Sequence, residues 1–192
     1  SFGLECLSRG SSFVTFVENY EKVVPILKKN IQNLKLQKKS FIIEKDIFNN
    51  DDLFFFEKKF DIIFIDGLHE YHQVMRDINN SLKYLNPHGV ILLHDCLPRT
   101  IWNQITPRIN SDWNGDVWKS IVHCRTLKHI DTYTFIADRG IGIIFPRPNR
   151  KLLNIESLKN FKELKFKDYY NNHDDFMNLI NFDKYELEKI FK

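Results

Sequence analysis

Short apolar runs alternate with longer amphipathic segments along most of the chain. In Tyr20–Leu34 and His72–Leu85 the apolar residues recur every three or four positions, which predicts helices that bury one face. Trp118–Leu127 is predicted to form a further helix. Runs rich in β-branched and aromatic residues predict six strands, at Phe13–Val17, Phe41–Glu44, Phe60–Ile65, Gly89–His94, Tyr133–Ala137 and Ile141–Phe145.

The order of these elements indicates the type of sheet. Strand, helix and strand follow one another, and Ile62–Ile65 is apolar on successive residues, as in parallel strands that are covered on both faces. Asn86–Gly89 should end the second helix and turn the chain into the next strand. Only Asp138–Gly140 separates the last two strands, too little for a parallel crossover. We therefore predict an α/β fold with a Rossmann-like, doubly wound, mostly parallel sheet, an antiparallel C-terminal edge hairpin and a helical tail.

The length and composition suit one folded domain with an appendage. The chain has 192 residues, of which 43% are hydrophobic and 17 are Phe, so there is ample apolar material for a core. From Arg150 onward the sequence becomes rich in Lys, Asn and Asp. We predict an α/β domain over residues 1–149 and a helical extension over residues 150–192 that packs on the same domain.

Charge and cysteine content narrow the classes of partner and compartment. The formal net charge of +3 is spread along the chain, so it gives no support for a nucleic-acid partner. The apolar runs are far shorter than the roughly 20 residues that a membrane span needs. Three cysteines without CxxC spacing favour reduced thiols and a cytoplasmic location. We expect a small-molecule partner, and the sequence leaves a homo-oligomer open.

Four successive predicted strands are each followed by a carboxylate. These residues are Glu18, Asp46, Asp66 and Asp95. Ligands of open parallel sheets bind beyond the carboxyl ends of the strands, and a carboxylate there accepts hydrogen bonds from ribose hydroxyls, a role that suits Glu18. The alternative for each residue is a cap on the helix that follows.

Two parts of the sequence resemble class I S-adenosylmethionine-dependent methyltransferases. Gly3–Gly10 followed by Phe16–Glu18 is similar to the segment after the glycine-rich loop of that class, most of all in the RNA guanine-N2 methyltransferases. That group carries an Asn/Asp-Pro-Pro-Tyr motif where this chain has Asp66-Gly67-Leu68-His69-Glu70-Tyr71. This chain therefore lacks the motif that holds the nucleobase in that group.

The second resemblance is to small-molecule methyltransferases with an Asp-Gly-x-His-x-Tyr motif. Their pattern continues with a helical Asp, a Leu-x-Pro-x-Gly turn and a strand ending in His-Asp; here these are Asp77, Leu85–Gly89 and His94-Asp95. Trp113–Lys119 and Asp138–Gly142 are similar to members found among glycan-related genes. This likeness covers roughly residues 41–192.

The resemblance implies that S-adenosylmethionine is the cosubstrate. It places Glu18 on the ribose, Asp46 and Ile47 beside the adenine, and Asp66 and Tyr71 in the rest of the cosubstrate site. The first strand and the glycine-rich loop of the class would precede Ser1, so the chain reads like one that begins within a domain. A cosubstrate site that is incomplete is the alternative.

The arrangement of the two aspartates at the strand ends also resembles that of metal-dependent O-methyltransferases, which implies that they could bind a cation. Asp66 and Asp95 could converge on a hard cation such as Mg²⁺, as in metal-dependent O-methyltransferases. Where a third ligand is expected the sequence offers Cys96, a poor partner for Mg²⁺. The alternative is that Asp66 positions the amino group of the cosubstrate and Asp95 caps a loop.

Histidines and aromatic residues supply the other candidates. His69 and His94 are candidate general bases, because an imidazole with a pKa of about 6.5 accepts a hydroxyl proton at neutral pH. Together with Asp66 they form the predicted catalytic set. Tyr71 would contact the adenosine, line the acceptor pocket or pack in the core.

A Trp-rich segment is the last candidate for ligand binding. Trp113 and Trp118 flank Asn114-Gly115-Asp116, a combination that recognises a sugar or that anchors a helix.

These residues lead to three functional hypotheses. The first is methyl transfer from S-adenosylmethionine to a hydroxyl of a small polar acceptor, such as a sugar or glycan precursor. The second is N-methylation of an RNA base, which the N-terminal likeness favours and the Asp-Gly-x-His motif opposes. The third is a methyltransferase-like domain that binds ligands without catalysis.

Overall fold

A computed structural model describes residues 2–44, 59–155 and 160–192 of the chain. They form two compact units, Ser1–Glu57 and Lys58–Lys192. Among the described residues, we find no helix with the length and apolar character that a bilayer crossing requires.

The first unit is built around two parallel strands. It contains helix α1 (Phe2–Ser8), strand β1 (Val14–Val17), helix α2 (Val24–Asn33), a short 3₁₀ turn (Gln37–Lys39) and strand β2 (Ser40–Ile43). Val14 of β1 pairs with Ser40 of β2, and the pairing continues to Val17 and Ile43. Helix α2 begins later than predicted because Pro25 occupies its first turn, a position where the missing N–H costs nothing.

The second unit contains a five-stranded sheet in the order β3-β4-β6-β5-β7. Its strands are β3 (Phe60–Ile65), β4 (Leu85–Leu93), β5 (Asp131–Phe135), β6 (Ile141–Phe145) and β7 (Leu179–Ile180). Its helices are α3 (Tyr71–Tyr84), α4 (Ile101–Gln104), α5 (Trp118–Arg125), α6 (Phe166–Asn171), α7 (His173–Met177) and α8 (Lys184–Phe191), with a 3₁₀ turn at Phe161–Glu163.

The predicted α/β fold class is confirmed, including the antiparallel hairpin of β5 and β6. Strands β3 and β4 are parallel, and β6 is antiparallel to both β4 and β5. The hairpin does not form the outer edge, because Leu179–Ile180 pairs in parallel with the end of β5. Strand β4 begins at Leu85, before the predicted turn, since Leu85 already pairs with Phe60; the register then shifts before Val90 pairs with Ile62.

Two layers of apolar side chains cover the two faces of this sheet. One face packs against α3 and α5, and its fully buried residues include Ile78, Ile91, Trp118, Ile121 and Ile144. The other face packs against α8 through Val90, Phe135, Ile143, Phe145 and Ile190. Burial on both faces therefore holds for β4 and β6. It does not hold for the edge strand β3, where Ile62 is half exposed.

Candidate functional site

The carboxyl ends of β3 and β4 bring two predicted site segments together. The strands are parallel neighbours, with Ile65 paired to Leu93, so the residues that follow them emerge at the same edge of the sheet. The backbone N–H of His94 donates to the carbonyl of Ile65 at 3.1 Å and fixes this register. Asp66 follows β3 directly, and His94 and Asp95 follow β4.

His69 lies between the two carboxylates. Its Nε2 is 3.3 Å from Oδ1 of Asp66, and its Nδ1 is 3.1 Å from Oδ2 of Asp95. Nδ1 of His94 lies 3.1 Å from Oδ1 of Asp66 and 3.5 Å from Oδ2 of Asp95. We call these four residues the Asp–His cluster. Four residues that sequence analysis singled out are thus brought within contact distance.

The pKa values of the cluster are strongly coupled. Burial alone would lower the pKa of His69, but its short contacts with Asp66 and Asp95 outweigh burial and raise the pKa to about 9. Contact with Asp66 is the main cause that raises the pKa of His94 to about 9 as well. Burial would raise the pKa of Asp66, yet the two imidazoles hold it well below its usual range. Both histidines therefore carry a proton at neutral pH, where sequence analysis expected a pKa of about 6.5.

Asp138 is a fifth member of this charge arrangement that sequence analysis did not select. Its Oδ2 lies 2.9 Å from Nε2 of His94, so His94 is held between Asp138 and Asp66. Asp138 has φ +51°, in the left-handed region, and it belongs to the tight connection between β5 and β6. The Asp-Arg-Gly sequence predicts a turn at this position, but it does not predict that the turn lies beside the end of β4.

Asp95 is held by the backbone and by an amide side chain. It adopts φ +61°, a conformation that costs free energy in most non-glycine residues. Nδ2 of Asn114 donates to Oδ1 of Asp95 at 3.0 Å and lies 3.3 Å from its backbone carbonyl oxygen. Asp95 and Asn114 are both buried. Oδ2 of Asp95 is thereby left facing the histidines.

The segment after Asn114 fixes the backbone at His69. The N–H of Asp116 donates to the carbonyl of His69 at 3.0 Å. Gly115 has φ +63°, and a Cβ at this position would lie 1.8 Å from the carbonyl oxygen of His69. The ring of Trp113 stacks on the imidazole of His69, with centroids 5.5 Å apart and an interplanar angle of 15°. One short turn therefore positions both Asp95 and His69.

Trp118 and Tyr71, two of the predicted ligand contacts, are both buried. The side chain of Trp118 is completely buried, and its Nε1 donates to Gln104 at 3.3 Å. This corrects the idea that both tryptophans present faces to a sugar. Tyr71 is 8% exposed; its N–H donates to Asp116, and its hydroxyl lies 2.9 Å from Nδ1 of His123. Of the three roles considered for Tyr71, this position favours the one in the core.

The Asp66, His69 and Asp95 side chains fit a divalent cation. One ligand atom from each lies within 4.8 Å of the others. Nδ1 of His69 is shielded from solvent and is not aligned for a hydrogen bond, so it is a buried nitrogen that lacks a regular partner. Cys96 does not supply the third ligand, because it is fully buried and its Sγ donates to the carbonyl of Leu93. Among the described residues, His69 offers the third ligand atom beside Asp66 and Asp95.

The cosubstrate residues proposed for the first unit are only partly described. Oε1 of Glu18 accepts a hydrogen bond from the N–H of Tyr20 at 2.9 Å, so the carboxylate caps the turn that leads into α2. Its role on a ribose stays a prediction. Asp46 and Ile47, predicted beside the adenine, lie outside the described residues.

Comparisons with known proteins find similarity to methyltransferases. Residues 2–96 match a family model described as a methyltransferase domain. No curated protein sequence matches the chain. Similar solved structures include the S-adenosylhomocysteine-bound methyltransferase PaMTH1 of Podospora anserina, with a TM-score of 0.60, 18% identity and coverage of 73% of this chain and 63% of that one.

Two bacterial structures are also similar to this chain. An S-adenosylhomocysteine complex of the O-methyltransferase from Bacillus cereus has a TM-score of 0.50 and 19% identity, covering 69% of this chain and 60% of that one. A Klebsiella pneumoniae protein assigned to the O-methyltransferases has a TM-score of 0.56 and 13% identity, with coverage of 70% and 62%. The chain spans less than two thirds of the length of each of these three proteins. Residues 2–96 are thus similar to the methyltransferase domain family, and the chain has the Rossmann-like fold of these solved methyltransferases.

Proposed function

We propose that this protein transfers a methyl group from S-adenosylmethionine to a hydroxyl of a small polar acceptor, with sugars and glycan precursors as the first class to test. The observation that carries the proposal is the Asp–His cluster at the carboxyl ends of two parallel strands, within a methyltransferase fold. This is the edge of the sheet at which α/β folds bind their ligands. The S-adenosylhomocysteine in two similar structures supports the choice of cosubstrate.

The cluster offers a direct path for the hydroxyl proton. Asp66 is half exposed, so its carboxylate is open to an acceptor hydroxyl. In the transfer, the acceptor oxygen forms a bond to the methyl carbon as the carbon–sulfur bond of the sulfonium breaks. The hydroxyl proton passes to a deprotonated imidazole of the cluster, and the adjacent carboxylate stabilises the imidazolium that results. Alignment of hydroxyl and sulfonium supplies most of the remaining rate enhancement.

The raised pKa values give this path a pH dependence. Because His69 and His94 each have a pKa of about 9, the fraction of deprotonated base grows as the pH rises towards 9. In the metal-free protein we therefore expect kcat to increase with pH across this range.

A divalent cation would change that dependence. Asp66, His69 and Asp95 would hold the ion, and it would lower the pKa of an acceptor hydroxyl. Mg²⁺ and Mn²⁺ both suit carboxylate ligands, which Asp66 and Asp95 supply. Both ions belong in the assay, and Asp95→Asn should weaken Mn²⁺ binding in metal-free protein.

Calorimetry and turnover test the proposal together. The full chain should bind S-adenosylhomocysteine, and it should form this product from S-adenosylmethionine with at least one member of a panel of sugars and glycosides. His69→Gln should keep the binding and lose most of the turnover, because it removes a candidate base that is not among the predicted cosubstrate residues. Binding without turnover on any hydroxyl acceptor would leave a ligand-binding domain. Absence of both would reject the proposal.

RNA is the alternative methyl acceptor to test. Turnover on RNA that exceeds turnover on every small acceptor, with affinity that falls steeply as salt rises, would replace the proposed acceptor class.

A further inference from the structure

A cavity lies between β5, β7 and α8, away from the Asp–His cluster. Its volume is about 570 Å³, within the range of small-molecule sites. In the sheet order, three steps separate β3 from β5. At about 4.8 Å per step, the strand that carries Tyr133 is roughly 14 Å from the strand that leads into Asp66. The cavity is therefore separate from the proposed reaction centre.

Cationic side chains outnumber carboxylates along the wall of this cavity. Arg150, Lys151 and Lys189 line it, and Glu186 is the carboxylate among its lining residues. The neighbouring Asp131 does not reverse the balance, because it is completely buried and Arg147 pairs with it at 2.8 Å. The wall thus has two more positive than negative side chains.

These cations differ in how far they are already engaged. Nη1 of Arg150 lies 3.4 Å from the carbonyl oxygen of Lys189, and its Nε lies 3.7 Å from Oδ2 of Asp131, so Arg150 is held between the end of α8 and a buried carboxylate. The ammonium of Lys189 lies 3.5 Å from Glu186. For the ammonium of Lys151 we find no hydrogen bond or ion pair within residues 2–44, 59–155 and 160–192. Lys151 is therefore the cation most available to a ligand.

The rest of the wall is mixed. Tyr133, Ile136 and Ile190 contribute apolar surface, and Asn181 contributes an amide. The hydroxyl of Tyr133 donates to Asp131 at 3.1 Å, which holds the ring in place. The ring or apolar body of a ligand could pack against these residues while its charged group contacts Lys151 and Lys189.

We propose that this cavity binds a phosphate-bearing small molecule with an apolar or aromatic body. A phosphate monoester carries a charge of about −1.5 to −2 near pH 7, which matches the excess of positive side chains better than one carboxylate does. Lysines bind phosphate as point charges, and the guanidinium of Arg150 adds donors in a planar fork. This inference does not depend on the proposed methyl transfer.

Phenyl phosphate is a suitable probe, because it combines a dianion with one ring and does not resemble S-adenosylmethionine. By calorimetry with the full chain, phenyl phosphate should bind with the same affinity in the presence and absence of S-adenosylhomocysteine. Lys151→Glu should weaken this binding at least tenfold. Lys167→Glu makes the same charge change on the exposed face of α6, outside the cavity, and should leave the affinity within twofold of the wild type.

Lys189→Gln provides a second variant if Lys151→Glu does not fold, as judged by circular dichroism, and it should also weaken binding. Phenol should bind far more weakly than phenyl phosphate. The proposal is overturned if the wild-type protein does not bind phenyl phosphate, if phenol binds equally well, or if the Lys151 and Lys167 variants behave alike.

Discussion

Nδ2 of Asn114 donates a hydrogen bond to Oδ1 of Asp95 at 3.0 Å, while Oδ2 of the same carboxylate faces the two histidines of the cluster. The amide therefore determines which oxygen of Asp95 is available to the site. Within the described part of the chain, the Asn114 side chain hydrogen-bonds to no other member of the cluster. It acts through Asp95 and is a positioning residue.

Asn114→Leu should lower kcat about 10- to 100-fold, the usual cost of removing a partner that orients a site residue, and leave the affinity for S-adenosylhomocysteine unchanged. It should also cost about 1–3 kcal/mol of unfolding free energy, because a buried carboxylate loses its donor. Asn149→Leu is the control: Asn149 lies outside the Asp–His cluster, and its Nδ2 donates to the carbonyls of Arg125 and Leu127, each at 3.0 Å.

The two variants should lose similar stability in chemical denaturation, but only the Asn114 variant should lose kcat. Equal kcat values in the two variants would show that the hydrogen bond to Asp95 has no part in positioning the site.

The histidine pair should make stability depend on pH in metal-free protein. The folded-state pKa of His69 and of His94 is about 9, above the ordinary value of 6.5. Their contribution to stability is therefore complete below pH 6.5 and is lost as the pH rises through 9. Asp66→Asn removes a carboxylate that both imidazoles contact, so it should reduce this pH dependence, by roughly 1 kcal/mol after allowance for solvent screening.

Denaturation with a chelator at pH 6 and pH 9.5 measures this effect, and NMR titration should show both imidazole pKa values moving towards 6.5. Glu21→Gln, a change to an exposed carboxylate with no ion pair among the described residues, is the control and should leave the pH dependence as in the wild type. An unchanged dependence in the Asp66 variant would contradict the proposed coupling.

Asp77 should also make stability fall as the pH rises, but here the substitution should stabilise the protein. Burial on α3 raises its pKa from 3.8 to about 6, although Gln73 donates to it at 2.7 Å. Because the folded state holds this proton more tightly, stability falls as the pH rises from about 4 to about 6. Asp77→Asn should therefore increase the free energy of unfolding at pH 7, by about 1 kcal/mol, and the gain should vanish near pH 4. A loss of stability at pH 7 would mean that the ionised carboxylate has a favourable partner.

The sequence predicted the site better at strand ends than in turns. Apolar periodicity located β3 and β4, and the end of each strand carried Asp66, His94 and Asp95 to one edge of the sheet. That inference needs only the rule that parallel neighbours end together. The bounds of β3 and β6 were also predicted correctly, because Asp66 follows β3 directly and β6 lies between Gly140 and Pro146.

Contacts made by turns could not be predicted in the same way. Asp138 reaches His94 and Asn114 reaches Asp95 only because of left-handed backbone conformations and long-range packing. No local pattern encodes these distances. The raised histidine pKa values follow from the same contacts, which an isolated imidazole does not have.

Gly115 tests the close approach between the Trp113–Asp116 turn and His69. Gly115→Ala should destabilise the protein for two reasons: the residue has φ +63°, and the new Cβ would lie 1.8 Å from the carbonyl oxygen of His69. Gly10→Ala is the matched control, because Gly10 has φ +104° but no atom within 4 Å of the Cβ position. Backbone strain of about 1–2 kcal/mol is common to both variants.

The clash is specific to Gly115, so Gly115→Ala should cost at least about 2 kcal/mol more than Gly10→Ala in chemical denaturation. Movement of His69 away from the carbonyl should also alter its contacts with Asp66 and Asp95, which NMR would detect as a lower imidazole pKa. Equal destabilisation by the two substitutions would mean that the backbone at His69 yields freely, and that the turn does not fix the position of the imidazole.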